Sequence, residues 1–290
     1  MDIKVTNWED LPQLLKEVPG SPYQLFSIGG LPHNDELTIA LVGTRKATTA
    51  GIKIAEDFGR SFASLGIVVV SGLAMGIDTA AHRGALMGGR KTIAVLGNGL
   101  DKIYPAQNEN LAKKIIAEDG AVVSEYVAGT PSFKQNFIQR NRIISGLSLA
   151  VVVIEAPLKS GALATASFAA SQGREVFVVP GPANHPNYIG SHALIRDGAR
   201  LVTSPKDVID DLGLNILPSP EAEKSKRSPA SHKLTSDENI VLDEIKGHGL
   251  PLNVDKIIEL TKLSPQIVSQ TLTSLVVRGF IQEAGGGYTI

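Results

Sequence analysis

Three short apolar runs in this chain each end in a glycine, and helical patterns follow them. The runs cover residues 39–43, 68–72 and 93–97, and their last residues are Gly43, Gly72 and Gly97. Glycine lets a strand turn sharply into a helix, whose first backbone N–H groups and positive dipole end attract anions. Three such ends side by side predict a track for a polyanion rather than a single phosphate pocket.

The whole stretch from 38 to 212 alternates between apolar runs and helical patterns. The runs lie near 38–43, 67–71, 92–97, 121–124, 149–154, 175–179 and 199–203. The helical patterns lie near 51–64, 77–88, 108–118, 134–147 and 161–172. This alternation predicts an α/β fold with a Rossmann-like, doubly wound, mostly parallel sheet. Ligands of such sheets bind at the carboxyl ends of the strands, where the glycine turns lie.

The chain divides into four parts on composition and pattern. Residues 1–37 form an N-terminal segment of helix and loop, and 38–212 form the Rossmann-like domain. Residues 213–233 are rich in proline and charge, which predicts a flexible linker. Residues 234–290 form a small domain of their own.

The last part has the pattern of a winged helix-turn-helix. Helices are expected near 236–247, 254–261 and 264–278, with Gly279 as the stop of the third. The segments 280–282 and 287–290 are expected to pair as a wing hairpin across Gly285 and Gly286.

Composition excludes several classes of function. The 290 residues include no cysteine, so disulfides, zinc–thiolate sites and thiol catalysis are excluded. The sequence shows no signal peptide and no apolar run long enough to span a bilayer, so we expect a cytoplasmic protein without a membrane partner. The net charge is −1, so binding to a polyanion has to come from a local cluster of cations.

The segment 133–142, F-K-Q-N-F-I-Q-R-N-R, carries the strongest local signal. On a helix, Lys134, Phe137 and Asn141 share one face, and Arg140 and Arg142 lie to either side of it. Cations beside an aromatic ring suit a single strand of nucleic acid, because the charges follow phosphates and the ring stacks on a base. An amphipathic helix with Phe137 in the core fits the same pattern.

No enzymatic motif is complete in the chain. The turn at 42–45 lacks the rest of a dinucleotide fingerprint, and there is no P-loop. Asp78 and His82 stand one helical turn apart and fit either a general base or a structural hydrogen bond. We therefore predict no catalytic residue, no metal and no cofactor.

Several long runs of the chain closely resemble the DNA-processing protein A (DprA/Smf) family. They are V-G-T-R at 42–45, S-G-L-A-M-G-I-D at 71–78, T-I-A-V-L-G-N-G-L-D at 92–101, R-N-R-I-I-S-G-L-S at 140–148, V-V-V-I-E-A at 151–156, S-G-A-L-A-T-A at 160–166 and G-R-E-V-F-V-V-P-G at 173–181. The resemblance implies a non-catalytic protein that binds single-stranded DNA and delivers it to RecA recombinase in natural transformation. We also expect a homodimer.

The resemblance assigns phosphate contacts along the first loop and its neighbours. It gives these contacts to Gly43, Thr44 and Arg45. Gly72 and Gly76 are expected to line the pocket.

The same resemblance assigns roles on the two following helices. Lys134 and Arg140 are expected on phosphates, Phe137 on a base, and Ser160 and Gly161 as backbone donors. Arg142 either joins the DNA-binding set or, with Asn141, pairs internally with Glu155 or Glu125.

Two other functions compete with this interpretation. A nucleotide phosphoribohydrolase of the same superfamily would carry P-G-G-x-G-T-x-x-E, but the comparable stretch 160–165 lacks the glutamate. A winged-helix transcription regulator would need cations, yet residues 234–290 hold four Lys/Arg against seven Asp/Glu, and the third helix carries only Arg278. We therefore expect this domain to bind duplex DNA weakly or to bind protein.

Overall fold

A computed structural model describes residues 2–214, 235–248, 251–277, 280–284 and 287–289. The chain forms two compact units, Met1–Lys224 and Ser225–Ile290. The predicted linker lies outside the described residues from residue 215 onward, as do Arg278, Gly279, Gly285 and Gly286.

One sheet organises the first unit. Its strands are β1 Lys4–Asn7, β2 Gln24–Gly29, β3 Thr38–Val42, β4 Val68–Ser71, β5 Thr92–Leu96, β6 Ala121–Ser124, β7 Ala150–Val153, β8 Glu175–Val178 and β9 Arg200–Leu201. Their order is β1-β2-β6-β5-β4-β3-β7-β8-β9, and the pairs from β6 through β9 are parallel. The mostly parallel α/β sheet confirms the predicted fold class.

The strand order reverses beside β3, which is the kind of position where such sheets bind ligands. The chain proceeds from β3 outward through β4, β5 and β6, and then crosses back so that β7 pairs with the other side of β3. In that pair Ile39 lies opposite Ala150 and Val42 lies opposite Val153. Such a switch point leaves a crevice at the carboxyl ends of the two strands.

Helices cover both faces of the sheet. They are α1 Gln13–Lys16, α2 Thr49–Ser64, α3 Ile77–Met87, α4 Glu109–Ala117, α5 Lys134–Gly146, α6 Gly161–Ser171, α7 Ile189–Arg196 and α8 Pro205–Asp211. Ala40 and Val42 of β3 pack in the cluster that includes α5 and α6, while Ile39 and Leu41 pack in the cluster that includes α2 and α3. Because both faces are covered, every residue of β3 is buried, as the uniformly apolar run predicted.

The N-terminal segment differs from the helix and loop predicted for 1–37. It contributes the antiparallel strands β1 and β2, and β2 pairs with the outer edge of β6, where Phe26 lies opposite Ser124. Leu25 and Ile28 of β2 are buried. At Gly29, with φ +96°, an added Cβ would lie 2.0 Å from the carbonyl oxygen of Gly120, so only glycine permits this approach.

The second unit has the predicted helices and wing. It comprises α9 Ser236–His248, α10 Val254–Thr261, α11 Pro265–Val277, β10 Gln282–Ala284 and β11 Gly287–Thr289. Val241, Ile257 and Leu275 join the helices in one small core. The hairpin places Gln282 opposite Thr289. In the part of the chain that the structure describes, no helix has both the length and the apolar character needed to cross a bilayer.

Candidate nucleic-acid interface

A cleft of about 680 Å³ opens where β3 and β7 end, between helices α5 and α6. Most of the predicted site residues line it: Gly43, Thr44, Arg45, Lys134, Phe137, Arg140, Ser160 and Gly161. Tyr104 and Lys159, which the sequence did not single out, line it as well. Gly72, Gly76 and Arg142 do not.

The rim of the cleft carries exposed positive charge. Arg45, Lys134 and Lys159 are all exposed. Within the described ranges none of the three forms an ion pair with a carboxylate. Free cations around a crevice attract a polyanion locally, although the whole chain carries a net charge of only −1.

Phe137 lies among these cations, half-buried in the cleft and outside the hydrophobic core. The Cζ atoms of Arg45 and Arg140 lie 5.7 Å and 5.8 Å from the centroid of its ring. The ring also packs beside Gly97, where an added Cβ would lie 3.0 Å from Cδ1 of Phe137. Phe137 therefore lies in the cleft and not in the hydrophobic core, and its contact with a base remains a prediction.

The N-terminus of α2 is occupied by a carboxylate of the protein itself. Glu155, which follows β7, accepts hydrogen bonds from the Thr48 backbone N–H (3.0 Å) and hydroxyl, from Nδ2 of Asn187 (2.9 Å) and from the hydroxyl of Tyr188 (2.9 Å). An added Cβ at Gly51 would lie 2.2 Å from Oε1 of Glu155. This helix end is therefore filled from within.

The loop between β4 and α3 also holds a carboxylate of the protein itself. Oδ2 of Asp78 accepts hydrogen bonds from the backbone N–H groups of Gly72 (3.1 Å) and Ala74 (3.4 Å). The third glycine turn, at Gly97, leads into a long loop, and α4 begins only at Glu109. The prediction of three adjacent anion-binding helix ends is therefore wrong, because internal carboxylates accept from the backbone at the first two turns and no helix follows the third turn directly.

The open helix end at the cleft belongs to α6. Its first turn contains no acidic residue. Oγ of Ser160 is buried, and it has no hydrogen-bond partner among the described residues. Thr44 offers less than predicted, because its N–H donates to the carbonyl oxygen of Glu155 (2.8 Å). Its hydroxyl accepts a hydrogen bond from the N–H of Lys46 (3.2 Å), and the residue lines the cleft.

Arg140 forms the floor of the cleft instead of its rim. It is only 4% exposed, and its Nη1 donates to the carbonyl oxygens of Gly72 (2.7 Å) and Val95. Burial lowers its pKa to about 10, so the guanidinium stays charged at neutral pH. Burial also raises the pKa of Asp78, and the nearby Arg140 charge partly offsets that rise. A direct phosphate contact by Arg140 remains a prediction.

Gly72 makes room for this floor and Gly76 makes room for the loop after β3, and neither residue lines the cleft. An added Cβ at Gly72 would lie 2.5 Å from Nη1 of Arg140 and 2.7 Å from Oδ2 of Asp78. Gly76 has φ +81°, and its Cβ would lie 2.4 Å from the carbonyl oxygen of Thr44. The resemblance placed both glycines in the lining of the pocket, and the structure places both outside it.

Arg142 turns away from the cleft. Its Nη2 pairs with Oε1 of Glu125, beside a separate surface pocket that Trp8 and Tyr23 also line. Nδ2 of Asn141 donates to the carbonyl oxygen of Gly161 (3.1 Å) instead of pairing with a glutamate. Of the two roles left open for Arg142, the structure favours the internal ion pair with Glu125.

His82 is structural and does not pair with Asp78. Its Nδ1 lies 2.8 Å from Oγ1 of Thr92, and the Thr92 hydroxyl donates in turn to the carbonyl oxygen of Val69 (2.6 Å). Nδ1 of His82 is therefore the donor. Burial lowers the pKa of His82 to about 3, so the imidazole is neutral. Asp78 and His82 therefore do not form the pair that their helical spacing suggested.

The architecture and the cleft define a Rossmann-like protein with a cationic, aromatic crevice and an added winged-helix unit. The family model "DNA recombination-mediator protein A" matches residues 3–213, and the model "DprA winged helix domain" matches residues 225–287. The chain belongs to the DNA recombination-mediator protein A (DprA) family.

Individual relatives agree with this assignment. Protein Smf of Escherichia coli is 40% identical over 282 residues, which is 96% of this chain and 74% of the relative. DNA processing protein DprA of Streptococcus pneumoniae is 44% identical over 198 residues, 68% of this chain and 70% of that one.

Two solved structures share the fold. The X-ray structure of DprA from Streptococcus pneumoniae superposes with a TM-score of 0.67 at 41% identity and covers 72% of this chain and 74% of that one. The second is the structure of DprA from Helicobacter pylori, which was determined to describe its single-stranded DNA binding mode. It superposes with a TM-score of 0.66 at 28% identity and covers 75% of this chain and 98% of that one.

The filled helix end at Glu155 predicts a specific dependence of stability on pH. Burial alone would raise the pKa of Glu155, but hydrogen bonds from Thr48, Asn187 and Tyr188 outweigh it and hold the pKa below its ordinary value of 4.5. A carboxyl with a lowered folded-state pKa adds stability above its unfolded pKa, and that stability is lost as pH falls toward the folded value. Glu155→Gln should therefore lower the melting temperature at pH 7 and flatten its decline in acid.

The control for this prediction is Glu118→Gln, which changes an exposed glutamate. Melting temperature is measured for both variants and the wild type from about pH 7 to about pH 3. A Glu155→Gln profile parallel to that of the wild type at every pH would show that the Glu155 carboxylate adds no charge-dependent stability.

Proposed function

We propose that the cleft binds single-stranded DNA without reading its sequence, and that the protein delivers this DNA to RecA recombinase by a non-catalytic mechanism in natural transformation. One observation carries the proposal: the half-buried Phe137 ring faces a cleft whose rim holds exposed, unpaired cations. Membership of the DprA family and the DNA-binding relative from Helicobacter pylori support it.

Different residues of the cleft contact the phosphates and the base of the bound strand. Arg45, Lys134 and Lys159 contact successive phosphates, and Phe137 stacks on a base, which any base satisfies because each has a π face. Gly43, Thr44, Ser160 and Gly161 add hydroxyl and backbone donors at close range. Such contacts position the strand and read no base edge.

The non-catalytic part of the proposal rests on the state of the nearby titratable groups. Asp78 is held by two backbone N–H groups, Glu155 by Thr48, Asn187 and Tyr188, and His82 by Thr92. Each of the three side chains is already engaged in hydrogen bonds within the fold, and Asp78 and His82 form no acid–base pair. Helix α6 also contains no acidic residue along its whole length, so the glutamate that a phosphoribohydrolase would need there is missing.

The proposed partners follow from family membership. We infer a homodimer and contact with RecA, and we place the protein in the cytoplasm. Residues 234–290 hold more acidic than basic residues, so we assign the winged-helix unit to protein contact or weak DNA contact and the main DNA contacts to the cleft.

Arg45→Ala should weaken binding to every single-stranded sequence alike, because Arg45 neutralises a phosphate and contacts no base edge. The log–log salt slope should become shallower by about one unit. Fluorescence anisotropy with labelled oligonucleotides of different sequence measures both effects. Lys53→Ala is the matched control, since Lys53 is an exposed cation on α2 outside the cleft. If the folded Arg45→Ala protein binds with unchanged affinity, then the DNA-binding site does not lie at Arg45.

Delivery to RecA is tested separately. The wild-type chain should shorten the lag before RecA hydrolyses ATP on single-stranded DNA that is already coated with a single-strand binding protein. Arg45→Ala should restore the lag, because the mediator no longer holds the strand. If the wild type binds naked single strands but leaves the lag unchanged, the mediator role is wrong while the DNA-binding role stands.

A further inference from the structure

We propose that Tyr104 is a second base-stacking residue, and that together with Phe137 it holds two successive bases of the bound strand. The proposal rests on the proposed function of the cleft. Tyr104 lines the cleft, and its ring centroid lies 5.2 Å from that of Phe137 with 45° between the ring planes. The side chain is 42% exposed.

The loop that carries Tyr104 is fixed on one side by Asn98. This buried side chain donates through Nδ2 to the carbonyl oxygens of Gly99 (2.9 Å) and Lys102 (2.6 Å). The hydroxyl of Ser124, at the end of β6, donates to the carbonyl oxygen of Asn98 (2.7 Å). These bonds hold the loop just before Tyr104 against the end of the sheet.

Asn108 fixes the other side of the loop. It is also buried, and its Nδ2 donates to the carbonyl oxygen of Leu73 (2.7 Å) and to Oγ1 of Thr79 (2.8 Å). The loop between β5 and α4 is therefore anchored on both sides of Tyr104. A ring on a fixed loop loses little conformational freedom when a base stacks on it.

Apart from its contact with Phe137, no polar or aromatic contact among the described residues explains why the Tyr104 ring lies at the surface of the cleft. Its hydroxyl forms no hydrogen bond with any described residue, and its only aromatic neighbour there is Phe137, which itself faces the cleft. Two rings tilted by 45° cannot lie flat on one base, so each ring offers a face to a different base. The cations Arg45 and Lys134 beside them suit the phosphates on either side.

The test compares Tyr104→Ala, Tyr104→Phe and Phe137→Ala with the wild type in anisotropy titrations of oligothymidylate. Tyr104→Ala should weaken binding about 5- to 150-fold, as loss of one base–aromatic stack does. Tyr104→Phe should bind as the wild type does, because the ring is kept. Tyr23→Ala is the matched control: Tyr23 is 91% exposed and lies outside the cleft. Thermal melting checks that each variant is folded.

A second ligand separates stacking from other contacts. On an abasic oligomer of the same length, Tyr104→Ala and the wild type should bind equally, because there is no base to stack. Equal losses on abasic and normal strands, or a loss in Tyr104→Phe as large as in Tyr104→Ala, would overturn the stacking role. If Tyr104→Ala binds with full affinity while Phe137→Ala binds more weakly, the stacking role of Tyr104 is also overturned. The proposed function of the cleft would then still stand. No binding by the wild type would refute the proposed function itself.

Discussion

The buried guanidinium of Arg140 is the interaction on which the cleft depends. It joins helix α5 to the turn after β4 through Gly72 and to β5 through Val95, and it lies near the carboxylate of Asp78. A hydrogen bond that involves a charged group typically contributes about 1.5–3 kcal/mol. The same side chain supports the Phe137 ring from below. The aromatic surface of the cleft is therefore fixed by a charge that solvent barely reaches.

The distribution of charge around the switch point explains how a nearly neutral chain can attract a polyanion. Glu155 and Asp78 accept hydrogen bonds from backbone N–H groups at the start of α2 and in the loop before α3, so both carboxylates are engaged within the fold. Arg45, Lys134 and Lys159 stay exposed on the rim. Because the two carboxylates are held by internal donors and the three cations are exposed, the crevice has a positive rim without a strongly basic sequence.

The sequence predicted the parallel strands and most helices because burial on both faces leaves uninterrupted apolar runs. β1 and β2 were missed because prolines at 12, 19 and 22 interrupt the segment and β1 is mostly exposed. Within the site, Lys134 and Phe137 were found from their helical spacing and Arg45 from its place after the first glycine turn, whereas Lys159 was missed. Helical spacing could not show that Arg140 points inward and Arg142 toward Glu125. The filled helix ends depend on contacts such as Thr48 with Glu155, which are 107 residues apart.

The most direct test of the account compares affinity for single-stranded and duplex DNA of the same sequence over a salt series. The account predicts tighter binding of the single strand at about 150 mM salt, where the electrostatic screening length is roughly 8 Å. With about three to five phosphate contacts, the log–log slope should be about −2 to −4 per protomer. Equal affinity for the two forms at that salt concentration would contradict the claim that the cleft holds a single strand.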